Sequence, residues 1–157
     1  MRVGIGYDVH PLKAGRDLIL GGVRIEHRAG LDGHSDADVL THAVIDALLG
    51  AASLGDIGKL FPSDDPKFKD ISSLDLLSNA AETVRAAGYR VVNIDSTVIA
   101  EAPRLQPHLL EMRVALARCL TLDVGRVSVK ATSPEGLGAL GQKAGIAAQA
   151  IALVEET

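Results

Sequence analysis

Three side chains in the first third of the chain have the types and spacing of a metal site: Asp8 and His10 in "GIGYDVHPL", and His42 in "DVLTHAVIDALLG". On an extended strand, side chains two apart share a face, so Asp8 and His10 project together while Val3, Ile5, Tyr7 and Val9 take the other side. Gly4 and Gly6 precede them on their own side and leave space above the backbone. Two imidazoles and a carboxylate suit a divalent ion such as Zn²⁺, and three protein ligands leave one position open for water or substrate. Structural zinc is instead closed by four ligands, mostly cysteine, and this chain has one cysteine, Cys119. The donor set is therefore that of a catalytic ion. Taken alone, His42 would read as a solvated or hydrogen-bonded histidine; the other two donors change its meaning.

His42 requires a helix to carry it. Ser35 and Asp38 form a helix-start pattern, and Val39, Leu40, Ala43, Val44, Ala47 and Leu48 recur at helical spacing, which predicts a helix from about Asp36 to Ala52. Asp38, His42 and Asp46 fall four apart and share one side, away from the apolar stripe. Asp46 is spaced to take the imidazole's other N–H, with a solvated acid as the competing reading. His34 lies just before the helix start, where free N–H groups favour an anion. The "GDIG" stretch from Gly55 to Gly58 offers a second backbone cradle, with Asp56 free to accept from ligand hydroxyls. Both stretches also read as ordinary turns.

Around these lie the remaining elements. "DLILGGVRI" reads as a hairpin with a Gly-Gly turn, and a second helix begins at Ser72 or Ser73 and stops at Gly88. "YRVVNIDSTVIAE" is a strand ended by Pro103, a third helix starts near Pro107, and "RVSVKAT" is a further strand. The tail "GIAAQAIALVEE" satisfies either period. Alternating strands and helices argue for a mixed sheet covered by helices on one face, an α+β arrangement; its other face must be buried elsewhere, which points to oligomerisation.

The composition sets limits on function. A chain of 157 residues, 47% apolar and 23% charged, is expected to form one globular domain over 1–157. No stretch reaches the ~20 apolar residues of a membrane span. Polar residues come too early for a secretory leader, and a lone cysteine suits a reducing cytoplasm. At net charge −4, with no Lys/Arg cluster, nucleic acid is not an expected partner. An anionic ligand must then be held by metals or backbone amides. Two glycine patterns do not make a dinucleotide site: Gly4 and Gly6 lack the third glycine, where Val9 stands, and sixteen residues follow the last glycine of "GLGALG", too few for the fold.

With Asp8, His10, His34, Ser35, His42 and "LGDIGKLFP" in place, the sequence closely resembles the 2-C-methyl-D-erythritol 2,4-cyclodiphosphate synthases, enzymes of the non-mevalonate route to isoprenoids. The likeness runs through "HSDADVLTHAVIDALLGAASLGDIGKLFP", "STVIAEAPRLQPH" and "VKATSPEGLG". It implies a homotrimer of α+β subunits with sheets around a threefold axis and active sites between neighbours, and a strand for the tail. It also implies conversion of 4-diphosphocytidyl-2-C-methyl-D-erythritol 2-phosphate to the cyclic diphosphate and CMP, a phosphorus–oxygen lyase reaction. By position, Asp8, His10 and His42 would bind zinc, and Glu135 a second ion, magnesium or manganese. His34 and Ser133 would stabilise the transition state, with Ser133 replacing the family's usual threonine. Asp8, Val9, His10, His34, Ser35, Asp56, Ile57 and Gly58 would contact the substrate, and the loop of Phe61, Pro62, Ser63, Asp64 and Asp65 would line it. Cytosine would be read by Ala100, Glu101, Ala102, Pro103, Arg104, Leu105 and Gln106 of the adjacent subunit, completed by Thr132, Ser133, Pro134 and Glu135.

The sequence departs from the family late in the chain. Pro134, Ala139 and Gln142 stand where members commonly carry threonine, an aromatic and arginine, which removes groups associated with an isoprenoid-diphosphate site on the trimer axis in some relatives. Two other readings of the same residues are a zinc phosphohydrolase, with water at the open metal position, and a trimeric zinc-carrying nucleotide-binding protein without turnover.

Overall fold

Strict alternation keeps the first segment extended for thirteen residues, β1 (Arg2–Ala14), and its partner is the ambiguous tail, which is a strand, β7 (Gly145–Glu156). These come from a computed structural model that describes all residues, Met1–Thr157. The remaining elements are β2 (Leu18–Leu20), β3 (Val23–Ile25), β4 (Ala29–Leu31), α1 (Val39–Ala51), α2 (Ile57–Leu60), α3 (Ser73–Ala86), β5 (Tyr89–Ile99), α4 (Leu109–Leu120), β6 (Val127–Thr132) and α5 (Gly138–Gly141). Five strands form a mixed sheet in the order β4-β1-β7-β5-β6, antiparallel except for the β5–β6 pair, and β2 with β3 forms a separate hairpin. No helix is long and apolar enough to cross a membrane.

The tail's alanines explain themselves once registered. Ala148, Ala150 and Ala152 pair with Asp8, Gly6 and Gly4, so the two central strands present small side chains on the face that carries α1. Gly4 and Gly6 are necessary there: a Cβ on Gly4 would stand 2.1 Å from the Ala47 carbonyl oxygen, and one on Gly6 1.9 Å from that of Ala43. The space above these glycines is filled by α1 itself. Leu40, Ile45, Leu48 and Leu49 of α1 join Leu77, Ile94, Met112 and Leu116 in one continuous core. Each such side chain contributes about 1.5–3 kcal/mol when buried.

The other sheet face is bare, as the sequence led us to expect, and it is the apolar side of β1 that lies on it. Val3, Ile5, Tyr7, Val9 and Ile151 are 47–67% exposed. Asp8 and His10 accordingly point inward, toward the helices.

Helix α1 begins three residues later than its pattern suggested, because Asp38, not a residue near Ser35, is the N-cap. The Asp38 carboxylate accepts from Thr41 N at 3.0 Å and Thr41 Oγ1 at 2.7 Å, and from Gly21 N at 2.8 Å and Gly22 N at 2.7 Å in the hairpin turn. It is fully buried and belongs to no solvated face. Burial pushes its carboxyl above the usual carboxylate range, against the pull of those donors.

Candidate metal centre and active site

Side-chain alternation on β1 and the close seat of α1 bring Asp8, His10 and His42 to one point. Asp8 Oδ2 lies 2.9 Å from His10 Nε2 and 3.0 Å from His42 Nδ1, and the two imidazole nitrogens are 3.3 Å apart. Ligands on a tetrahedral ion with bonds of about 2.0–2.1 Å stand ~3.3 Å from one another. Nδ1 of His10 faces the Asp32 carbonyl at 3.0 Å, and a carbonyl only accepts, so in the neutral ring this nitrogen carries the proton and Nε2 offers its lone pair to the centre. Carboxylate and imidazole electron pairs thus converge on a spot that a divalent cation fits.

Burial alone would raise the Asp8 carboxyl, but hydrogen bonds and charge from His10 and His42 outweigh it and hold the group well below the usual carboxylate range. Reciprocally, the Asp8 hydrogen bond raises His10 above its ordinary value, with burial opposing.

His42 is buried, not solvated as its helical spacing had implied. The expected support from Asp46 is absent: the outer nitrogen, Nε2, lies 2.9 Å from Ser73 Oγ and 3.1 Å from Ser35 Oγ. Asp46 turns the other way and accepts from Ile57 N at 2.7 Å, fastening the start of α2 to α1. Burial pushes the Asp46 carboxyl up, with the Ile57 N–H pulling against it. The "GDIG" stretch is accordingly the N-cap and first turn of a short helix, in which Asp56 accepts from Lys59 N at 2.8 Å, and Gly55 has φ +103°.

A cavity of about 250 Å³ opens on the trio. His34, Ser35, Ile57, Gly58, Phe61 and Ser63 line it as well, so much of the candidate substrate set converges here. His34 does not cap a helix; its Nε2 sits 3.4 Å from the Asp65 carbonyl. Pro62 and Asp64 are exposed in the same turn. Sequence reasoning did not place Phe68 and Leu76 in the wall, nor Ser73 beside His42; Ser73 had marked only a helix start, and its type carries no further signal.

A second cluster gathers where β5 and β6 end. Ala100 N donates to Thr132 O at 3.0 Å, Ser133 Oγ donates to Glu101 Oε2 at 2.9 Å, and the Ser133 hydroxyl accepts from Glu135 N at 2.9 Å. Glu135 and the exposed Arg104 and Gln106 lie outside the metal cavity; Leu105 is buried in the core, and Ala102, Pro103 and Pro134 are half-buried. Val9 pairs with Ala147, Ala147 with Ile99 and Ile99 with Thr132, so the two clusters share one end of the sheet with β7 and β5 between them. Three strand spacings amount to ~14 Å. Within one chain, Ser133 and Glu135 therefore do not meet the trio.

Known proteins match this architecture over its full length. The model of the YgbB family matches residues 1–155. A 2-C-methyl-D-erythritol 2,4-cyclodiphosphate synthase of Syntrophomonas wolfei is 58% identical over 156 residues, covering 99% of this chain and 99% of that protein. Among solved structures, a 2C-methyl-D-erythritol-2,4-cyclodiphosphate synthase in a CDP-bound form superposes with a TM-score of 0.90 at 35% identity, covering 98% of this chain and 100% of that one. The bifunctional IspDF of Campylobacter jejuni superposes with a TM-score of 0.96 at 44% identity, covering 99% of this chain but 42% of that longer one. Matched by that family's model over residues 1–155 and by a relative 58% identical over nearly the whole of both chains, the chain belongs to the YgbB family.

Proposed function

We propose that the protein converts 4-diphosphocytidyl-2-C-methyl-D-erythritol 2-phosphate to 2-C-methyl-D-erythritol 2,4-cyclodiphosphate and CMP, as a phosphorus–oxygen lyase of the cytoplasm. The observation that carries the reading is the convergence of Asp8, His10 and His42 within 2.9–3.3 Å at a cavity lined by His34 and Ser35. Full-length relatives bearing the synthase name, and one with CDP bound, support the substrate class.

The substrate's 2-phosphate oxygen attacks the β-phosphorus, forming the ring bond. The bond from that phosphorus to the oxygen bridging the α-phosphorus breaks, and CMP leaves with the oxygen. A phosphate nucleophile is already ionised, so the chain's task is to align it and to meet charge on the transferring group. Asp8, His10 and His42 would hold zinc, and Glu135 magnesium or manganese; when bound, these ions supply positive charge to the diphosphate oxygens. His34 and Ser133 stabilise charge in the transition state. Ser35, the Asp56–Gly58 backbone and the Phe61–Asp65 turn hold the erythritol phosphate. Ala100–Gln106 and Thr132–Glu135 form the cytidine pocket.

Because the two clusters stand apart within one chain, a complete site draws them from adjacent subunits of a homotrimer, and the bare apolar sheet face supports that assembly. The test is ³¹P NMR of the purified protein with the cytidyl substrate and Mg²⁺. Cyclic diphosphate with CMP is expected; linear phosphate products would make it a hydrolase, and CDP binding without CMP release a carrier.

A further inference from the structure

We propose that Asp36 and Ser73 are positioning residues that fix the ring proton of His42 on Nε2 and so leave Nδ1 free for a metal ion. Ser73 Oγ has one proton, and it is committed: the hydroxyl donates to Asp36 Oδ1 in a short hydrogen bond, while Ser73 N donates to Asp36 Oδ2 at 2.9 Å. Asp36 is held in turn, since its Oδ1 accepts from Asp38 N at 3.2 Å and its own N–H donates to the Ile71 carbonyl at 3.1 Å. Ser73 Oγ can therefore act toward His42 Nε2, 2.9 Å away, only as an acceptor, and the imidazole must be the donor.

The alternative proton arrangement is disfavoured by the same network. A proton on Nδ1 would put two oxygen lone pairs, from Ser73 and Ser35, against an unprotonated Nε2 unless Ser35 alone turned to donate. Such a proton would have Asp8 Oδ2, 3.0 Å away, as its acceptor, but it would take from Nδ1 the electron pair that an ion needs and leave Ser73 Oγ without its donor. Ser73 is fully buried and His42 nearly so, which sets their contact apart from water that could supply the donor an unprotonated Nε2 would need. Once Nε2 is the donor, Ser35 Oγ accepts from it and from Ala37 N at 3.2 Å, so the Ser35 hydroxyl proton is left for the cavity that this residue lines. The site then contains two imidazoles oriented by different means: His10 by a backbone carbonyl, His42 by a carboxylate acting through a hydroxyl.

The inference rests on the trio's being a metal centre and not on the cyclising reaction. Its first test uses the metal-free wild-type protein, in which long-range ¹H–¹⁵N correlation at alkaline pH reports which nitrogen of the His42 ring carries the proton. His42 as the Nε2–H form is expected; the Nδ1–H form, or an even mixture, would overturn the proposal. The second compares Ser73→Ala with Ser73→Thr. Ser73→Ala should shift His42 toward mixed tautomers and weaken Zn²⁺ or Co²⁺ binding by roughly ten- to a hundredfold, and Ser73→Thr, which keeps the hydroxyl, should restore both. An unchanged tautomer with unchanged metal affinity in a folded Ser73→Ala protein would show Ser73 to be only part of the helix start. Failure of turnover in the wild type would leave the tautomer readout intact, so the two readings fail separately.

Discussion

The backbone carbonyl of Ala43 sits where a Cβ on Gly6 would be, at 1.9 Å, so α1 rests directly on the backbone of β1. Replacing Gly6 by Ala must lift the helix by more than an ångström or bend the strand. Overpacking of this kind costs about 3 kcal/mol or more. Gly6→Ala should lower the thermal midpoint sharply and reduce bound metal, because His42 rides on the displaced helix. Calorimetry with metal analysis checks this, and an unshifted midpoint would contradict the contact.

His42→Ala should abolish most metal binding and turnover. Since the ring is buried, the variant should also lose about 1–3 kcal/mol of stability from lost packing and from the hydrogen bonds of Nε2 to Ser73 and Ser35. Elemental analysis beside chemical denaturation separates the two losses; full metal content would remove His42 from the ligand set.

The Asp46 carboxylate tethers α2 through Ile57 N, and α2 brings Ile57 and Gly58 to the cavity. Asp46→Ala should raise KM roughly tenfold, equivalent to about 1.4 kcal/mol, with metal content unchanged. Asp46→Asn, which can present an oxygen to the same N–H, should show a smaller effect. Equal effects in both would assign the role to charge.

Protons and metal compete at His10. In the metal-free protein Asp8 raises His10 above 6.5, so metal affinity should climb by about tenfold per pH unit up to that raised value and then level off. For the metal-free fold the sign is opposite. A raised folded value means that the Asp8–His10 pair stabilises fully below 6.5 and that this contribution fades as pH rises through the folded value. Thermal shift with and without chelator, scanned from acid to alkaline pH, should therefore show metal stabilisation growing with pH.

Ile5 and Ile151 are directly opposed on the bare face of the sheet. Ile5→Lys should dissociate the proposed trimer, read by light scattering, and should abolish turnover while the metal trio keeps its ion. A trimer that survives the charge would place the subunit contact elsewhere.

Much of this site was legible from residue spacing, and the parts that were not share a cause. Asp8 and His10 were placed together because a strand's period of two is rigid, and the His42 helix followed from Val39, Leu40, Val44 and Leu48. The helical spacing of Asp38, His42 and Asp46 suggested a solvated side, yet Asp38 and His42 are buried and satisfied by the hairpin turn and by α3. Periodicity separates polar from apolar; it does not distinguish water from a buried polar seam supplied by distant segments. For the same reason Ser73 gave no sign of its contact with His42, thirty-one positions earlier. Helix α2 was hidden by its length, since four residues carry too little pattern to stand out from a turn.

Along β1 the candidate ion ligands Asp8 and His10 and the bare apolar stripe alternate residue by residue. A slip of a single position in its pairing with β7 would send the carboxylate and imidazole outward and drive Ile5 and Tyr7 into the helices. The proposed subunit contact and the candidate metal ligands thereby stand on opposite sides of the same ribbon, so a one-residue insertion or deletion that reverses its faces would disturb both together.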